Sequence, residues 1–473
     1  MNFSWMIFVD LGIISLALLV ATFIRAKVPF FQRFLIPNSL TAGFLVLPIY
    51  NFLSHTLGLN TNGLENLVFH LLNISFVAMS LRKSNLKGSG KRVFSTTVTI
   101  LSQYTFQGLV GLGLTFLFIA TIIPNLFPSF GLFIPLGFAL GPGQSFAIGK
   151  GWETFGFDGA GSIGLTFAAI GFLWACFGGV YLINYGIRKG WLEKEHIEVF
   201  KKRGIRVGIY GKDEEHPVGA HLTTETEAID SMSFNLAVIL GVYLFAFLFL
   251  KGLTYLLSFA GSAGHDLAVN LWGISFIFAA LIAQVVKKFF KVLGIEHLLD
   301  NGSMTRIAGT SVDIMVAASI GAISLVVVTK YWLPIATMGI LGGIVTIFTL
   351  IWISSRIFED HHFHRTIMLY GALTGTLPTG LALLRVVDPE FETPVAADYM
   401  YASGLTFFLA IPFILMINLP AYGYRSGNPI YYYVTFAIFF GYLVFVSISY
   451  ILLSRKRAFR KTSHLWLQAK HRG

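Results

Sequence analysis

Apolar runs of about 20 residues recur along nearly the whole chain, separated by short polar turns. At ~1.5 Å per helical residue each is long enough to cross ~30 Å of hydrocarbon. The pattern predicts eleven spans, near 5–24, 34–53, 64–81, 93–123, 159–187, 232–250, 267–286, 310–329, 331–354, 396–420 and 429–453. Two further apolar stretches do not read as spans. Leu136–Gly149 (LGFALGPGQSFAIG) and Leu369–Arg385 (LYGALTGTLPTGLALLR) carry Gly, Pro, Ser, Thr and Gln in membrane-grade surroundings. Hydrocarbon holds no water for freed backbone groups, so broken backbone at that depth is wrapped in protein or lines a wet cavity. Both are expected to be re-entrant hairpins, near 130–150 and 366–386.

Composition agrees. The 473 residues are 55% hydrophobic and 12% charged, with a mean hydropathy of +0.72, as expected of a polytopic all-α membrane protein. Met1–Ile24 has no basic leader and reads as the first span. The lone Cys176 lies in a span, which excludes disulfide frameworks and Cys-rich metal sites. A net charge of +11 would suggest nucleic acid in a soluble chain, but its placement says otherwise. One alternating set of loops holds 30 of the 34 Lys and Arg residues, and the other holds only Lys150, Lys251, Lys330 and Arg425. The positive-inside rule then puts the N-terminus outside and the C-terminus in the cytoplasm. Counting either hairpin as a full span would destroy this asymmetry, so the first enters from outside and the second from the cytoplasm.

The pattern of spans repeats. Residues 1–189 give four spans, a broken hairpin and one more span, and residues 232–424 give the same. Between them lies the polar 190–231, expected as a cytoplasmic linker. Residues 425–473 add one helix and a basic tail (Arg455–Lys461) suited to anionic lipid. GFALGPGQSFAIG aligns with GALTGTLPTGLAL, and Leu165-Thr166-Phe167 with Leu405-Thr406-Phe407. An odd number of crossings per half inserts the second copy upside down, the inverted-repeat logic of secondary transporters.

Chemistry concentrates at the two tips. Gly141, Gly143, Gln144 and Ser145 form the first, and Thr374, Thr376, Pro378 and Thr379 the second. Where such a turn reopens into a helix, its free N–H groups favour an anion. Its carbonyls and hydroxyls suit a hard cation such as Na⁺. Ser145, Thr374 and Thr379 are therefore candidate ion ligands. Arg385 follows the second tip and either binds a carboxylate in a bidentate fork or snorkels beside Asp388. Asp313, near the cytoplasmic start of span eight, reads as an ion ligand or a helix N-terminal acid. Asn73 in span three is a further candidate ion ligand, with Ser75 lining the same route. Asp360-His361-His362-Phe363-His364 reads as a solvated loop. No phosphate loop, Ser-His-Asp set or redox motif points to an enzyme, and no cofactor is expected beyond the coupling ion.

Leu35-Ile36-Pro37 with Ala42-Gly43, the first hairpin followed by Trp152-Glu153-Thr154-Phe155-Gly156-Phe157, the small residues of Thr166–Gly179, and Pro378-Thr379 occur in a telling order. In these the chain resembles the bacterial sodium–glutamate symporter family over most of 5–420. The resemblance implies two inverted five-span halves, a hairpin from each face, a homodimer, an elevator-type motion and Na⁺-driven uptake of an acidic amino acid. The alternatives are an H⁺-coupled carboxylate transporter, or a receptor or scaffold on the same fold that does not transport.

Overall fold

The computed structural model describes residues 5–83, 90–189, 218–259, 271–388 and 392–459, with isolated positions at 191, 207–209, 212, 261, 264 and 268. Most of the expected linker and the end of the basic tail lie outside the described residues. Those described are helical, with no strand. Among them seven helices are long and apolar enough to cross a membrane, and a bent pair makes an eighth.

We label the main helices α1 (Met6–Lys27), α2 (Asn38–Pro48), α3 (Asn62–Leu81), α4 (Gly90–Thr121), α5 (Pro142–Glu153), α6 (Ala160–Leu173), α7 (Ser231–Ser258), α8 (Ser275–Val292), α9 (Asn301–Gly321), α10 (Trp332–Ile357), α11 (His362–Thr374), α12 (Leu377–Val387), α13 (Val395–Leu409) and α14 (Ile430–Ser454). They sort into two bundles. α1, α2 and α3 pack with α7, α8 and α9. α4 and α6 pack with α10, α11, α12, α13 and α14 around the broken segments. Each half of the chain thus gives three helices to the first bundle and then the rest to the second. The bundles meet where α5 lies against α3 and α9.

Small residues make the tightest contacts. A Cβ on Gly149 would stand 2.6 Å from the Ala160 carbonyl oxygen, and one on Gly164 2.5 Å from that of Ser145. Bare backbone therefore lets α5 and α6 approach until their peptide groups touch, the membrane substitute for a hydrophobic driving force.

Several expected spans have different bounds: the one expected at 232–250 runs on to Ser258 and the one at 267–286 runs on to Val292. The helix expected at 310–329 begins at Asn301, ends at Gly321, and is followed by a separate short helix, Leu325–Lys330. Polar residues at its start (Ser303, Thr305, Arg306) hid it from hydropathy. Asp313 is consequently mid-helix, not near the start of the span, and the N-terminal-acid alternative falls. The span expected at 396–420 is broken between Leu409 and Ile411 and bends by 51°, with Pro412 in the first turn after the break.

The true cap of α9 is Asp300, whose carboxylate accepts from the Ser303 amide at 2.6 Å and the His221 amide at 3.3 Å. Burial pushes this carboxyl up, but the Ser303, His221 and Gly302 amides outweigh it and hold it below the usual carboxylate range. A depressed acid stabilises the fold above its unfolded value, and that contribution fades as pH falls through the lowered folded value. Asp300→Ala is expected to cost about 1 kcal/mol at neutral pH. The same substitution should cost progressively less as acid protonates the native carboxyl, which thermal melting in detergent across pH checks.

Candidate functional site

The first break is a single residue wide. The arm Pro135–Leu140 is π-helical, a form common at functional sites. It ends at Gly141, with φ +93° and ψ 178°, a conformation essentially reserved for glycine. Pro142 then opens α5 at its first position, where a missing N–H costs nothing. Gly143, Gln144 and Ser145, expected as turn residues, are instead the first turn of α5. Gly143 lies on the Leu72 side chain of α3, where a Cβ would stand 2.6 Å from Leu72 Cδ1. Gln144 is buried with its Oε1 toward Gly141, and Ser145 Oγ donates to the Gly164 carbonyl at 2.9 Å.

The second break spans Gly375 and Thr376. α11 stops at Thr374, whose hydroxyl donates to the Tyr370 carbonyl at 2.6 Å. Gly375 departs from the helix at φ −128°, ψ −106°, and Thr376 is extended. α12 opens with Pro378 in its first turn, and the Thr376 and Thr379 hydroxyls face each other at 3.3 Å. Its two arms close on glycine, since a Cβ on Gly371 would stand 2.8 Å from Gly380 Cα.

These two breaks meet. A Cβ on Gly141 would lie 3.2 Å from Thr376 Cγ2 and 4.0 Å from the Gly375 carbonyl oxygen. Gly171 of α6 underlies both segments, because a side chain there would drive into the Thr374 carbonyl and the Phe138 backbone. Both α5 and α12 begin at this contact, and neither has a side-chain cap. The first backbone N–H groups of Gly143, Gln144, Leu377 and Thr379 have no partner within their own helices. Two positive helix ends thus flank one point, with the Gly375 carbonyl, the Gln144 side-chain oxygen and the paired Thr376 and Thr379 hydroxyls beside it. Such a set suits an anion together with a hard cation.

Other candidates fall outside this contact. Asn73 is fully buried on α3, next to Leu72. Its Nδ2 donates to the Phe69 carbonyl at 2.8 Å, and its Oδ1 has no hydrogen-bond partner among the described residues. Arg385 is exposed on α12, about 9 Å along the helix from Thr379. Asp313 lines a cavity on the open face of α9. Asn38, the first residue of α2, does not cap the helix; its Nδ2 donates to the Thr22 hydroxyl of α1 at 2.9 Å. His362, Phe363 and His364, expected in a solvated loop, are the first turn of α11, with Phe363 buried and His364 bonded to the Val387 carbonyl at the end of α12 at 3.1 Å. No group of three or more His, Cys, Asp or Glu side chains that could hold a metal ion occurs among the described residues.

Two features escaped the sequence reading. Gln103 and Gln107, four apart on α4, are fully buried. Gln107 Nε2 donates to Thr346 Oγ1 at 2.8 Å and to the Leu373 carbonyl at 3.2 Å, clamping the end of α11. Polar residues at helical spacing inside a span were the available signal. At the base of α11, Arg365 and Asp398 pair at 2.8 Å and are 2% and 1% exposed. Arg92 joins Asp398 at 2.9 Å, and Asp360 joins Arg365 at 2.9 Å. Asp398 is an acid inside an expected span, which the sequence shows plainly. Its partners are remote in sequence and are not legible there.

No protein-family model, curated protein or solved structure matches the chain.

Proposed function

We propose that this protein is a secondary active transporter, a Na⁺-coupled symporter of a small organic anion, with an acidic amino acid such as glutamate the foremost substrate. The proposal includes membership, as a divergent member, of the bacterial sodium–glutamate symporter family. It also takes the two broken segments as re-entrant hairpins of an inverted repeat, in a homodimer of the inner membrane. The observation that carries it is the approach of Gly141 to Thr376, which sets two uncapped helix starts and the Gly375 carbonyl around one point. Two broken segments at corresponding positions of the halves are the arrangement expected of a transporter site. In this account Gly141, Gly143, Gln144, Ser145, Thr376, Pro378 and Thr379 hold the anion, and Arg385 receives its carboxylate from the cytoplasmic side. Ser145, Thr374 and Thr379 supply oxygens to Na⁺, and Asn73, outside the contact of the two breaks, offers its Oδ1, unpartnered among the described residues, to a separate Na⁺.

Uptake of labelled L-glutamate into proteoliposomes is expected to rise with an inward Na⁺ gradient and to vanish when K⁺ replaces Na⁺. Equal uptake in both salts would remove the coupling. The carboxylate of Asp313 on an open membrane-depth face favours a second reading, H⁺ coupling. Uptake driven by a pH gradient without Na⁺ would select it.

A further inference from the structure

Thr305, Arg306, Gly309, Thr310 and Asp313 share one face of α9 and, with Gly219, line a cavity of about 400 Å³. Its depth follows from the packing of α9 against α3. Gly321 meets Leu64, where a Cβ would stand 3.2 Å from Leu64 Cδ1. Met304 and Ala308 pack with Val77, Ala78 and Leu81. The helices are thus antiparallel, and Asp313 is level with Leu72, the side chain beneath Gly143 of the first tip. A carboxylate facing lipid at that depth is prohibitively costly, so this face looks onto water or solute.

The cavity is polarised. Arg306 lies two turns from Asp313, about 10 Å along the axis. Its Nε donates to the Gly219 carbonyl at 3.2 Å, which anchors the guanidinium at the Asp300 end. Between the two charges stand the Thr310 hydroxyl and Gly309, whose Cβ position has nothing within 4 Å. An exposed guanidinium tethered to the Gly219 carbonyl, an exposed carboxylate and a bare hydroxyl-bearing floor between them match a solute with both charges several ångströms apart.

We infer that this cavity is a second solute site, specific for a zwitterion. Its side-chain carboxylate, several ångströms from the α-carbon, pairs with Arg306 and its ammonium with Asp313. A plain dicarboxylate is rejected, because Asp313 would face it with like charge. This rests on the transporter reading and adds to it a second site, one that requires the ammonium and a distal carboxylate on the same solute.

The test uses the full chain in detergent, with Cys176→Ala removing the native thiol and Gly309→Cys placing one in the cavity. L-Glutamate and glutarate, which lacks the ammonium, are the probes. Maleimide labelling of Gly309→Cys should slow about tenfold at L-glutamate ten times its dissociation constant. Glutarate should leave the rate unchanged. Adding Asp313→Asn should abolish protection, and adding Thr379→Val, at the hairpin tip, should leave it intact. Equal labelling with and without L-glutamate overturns the inference, as does protection by glutarate. So does protection that survives Asp313→Asn, or that is lost with Thr379→Val. Absence of Na⁺-driven uptake by the unsubstituted protein would defeat the symporter reading while leaving protection at Gly309→Cys in place, so the two failures are separable.

Discussion

Asp398→Leu is expected to destabilise the chain by about 3–5 kcal/mol, the cost of stranding a buried charge. The Asp398 carboxylate takes Arg365 at 2.8 Å and Arg92 at 2.9 Å through one oxygen, and Arg365 is itself 2% exposed. Without it, Arg365 keeps only the half-exposed Asp360. The site ties three elements, the start of α4, the base of α11 and the start of α13. A buried ion pair replaced whole by apolar side chains is often neutral. Asp398→Leu with Arg365→Leu should therefore recover much of the loss. Melting in detergent reads both variants. A single variant that melts with the wild type would show that the network carries no stability.

Gly171→Ala is expected to abolish uptake. Its Cβ would collide with the Thr374 carbonyl oxygen and stand 3.2 Å from Phe138 Cα, so α6 must retreat from both broken segments at once. Backbone cannot yield as a flexible side chain can, and overpacking of this kind costs about 1–3 kcal/mol. The loss of transport should exceed the loss of stability, because the tips separate before the bundle melts. Gly113→Ala on α4, with nothing within 4 Å of its Cβ, is the matched control and should transport normally. Normal uptake by Gly171→Ala would detach α6 from the working site.

The helices were legible because a membrane enforces one rule, that apolar runs of sufficient length become helices. Where polar residues open a helix the rule fails, so Asn301–Gly309 is not legible as helix and Asp313 reads as lying near an end. The breaks were legible from Gly141-Pro142 and Gly375, since glycine and proline act locally through φ and the missing N–H. Their extent was overestimated, because Pro142 and Pro378 each start a helix and draw the following residues into it. Partnership was not legible. Gln107 with Leu373, Arg92 with Asp398 and Gly171 with Thr374 join residues far apart in sequence, and a single sequence holds no record of such pairs. Arg385 drew attention through its apolar neighbours, whereas the buried arginine of this region is Arg365.

The most direct measurement is a cross-link between the tips. Gly141→Cys and Thr376→Cys, in a Cys176→Ala chain carrying a protease site within 190–217, are oxidised in membranes, cleaved and run on a denaturing gel. The account predicts that the two halves stay joined only when both cysteines are present and that reductant frees them. Halves that separate under oxidising conditions, while each single-cysteine protein folds and inserts, would contradict the meeting of the two breaks.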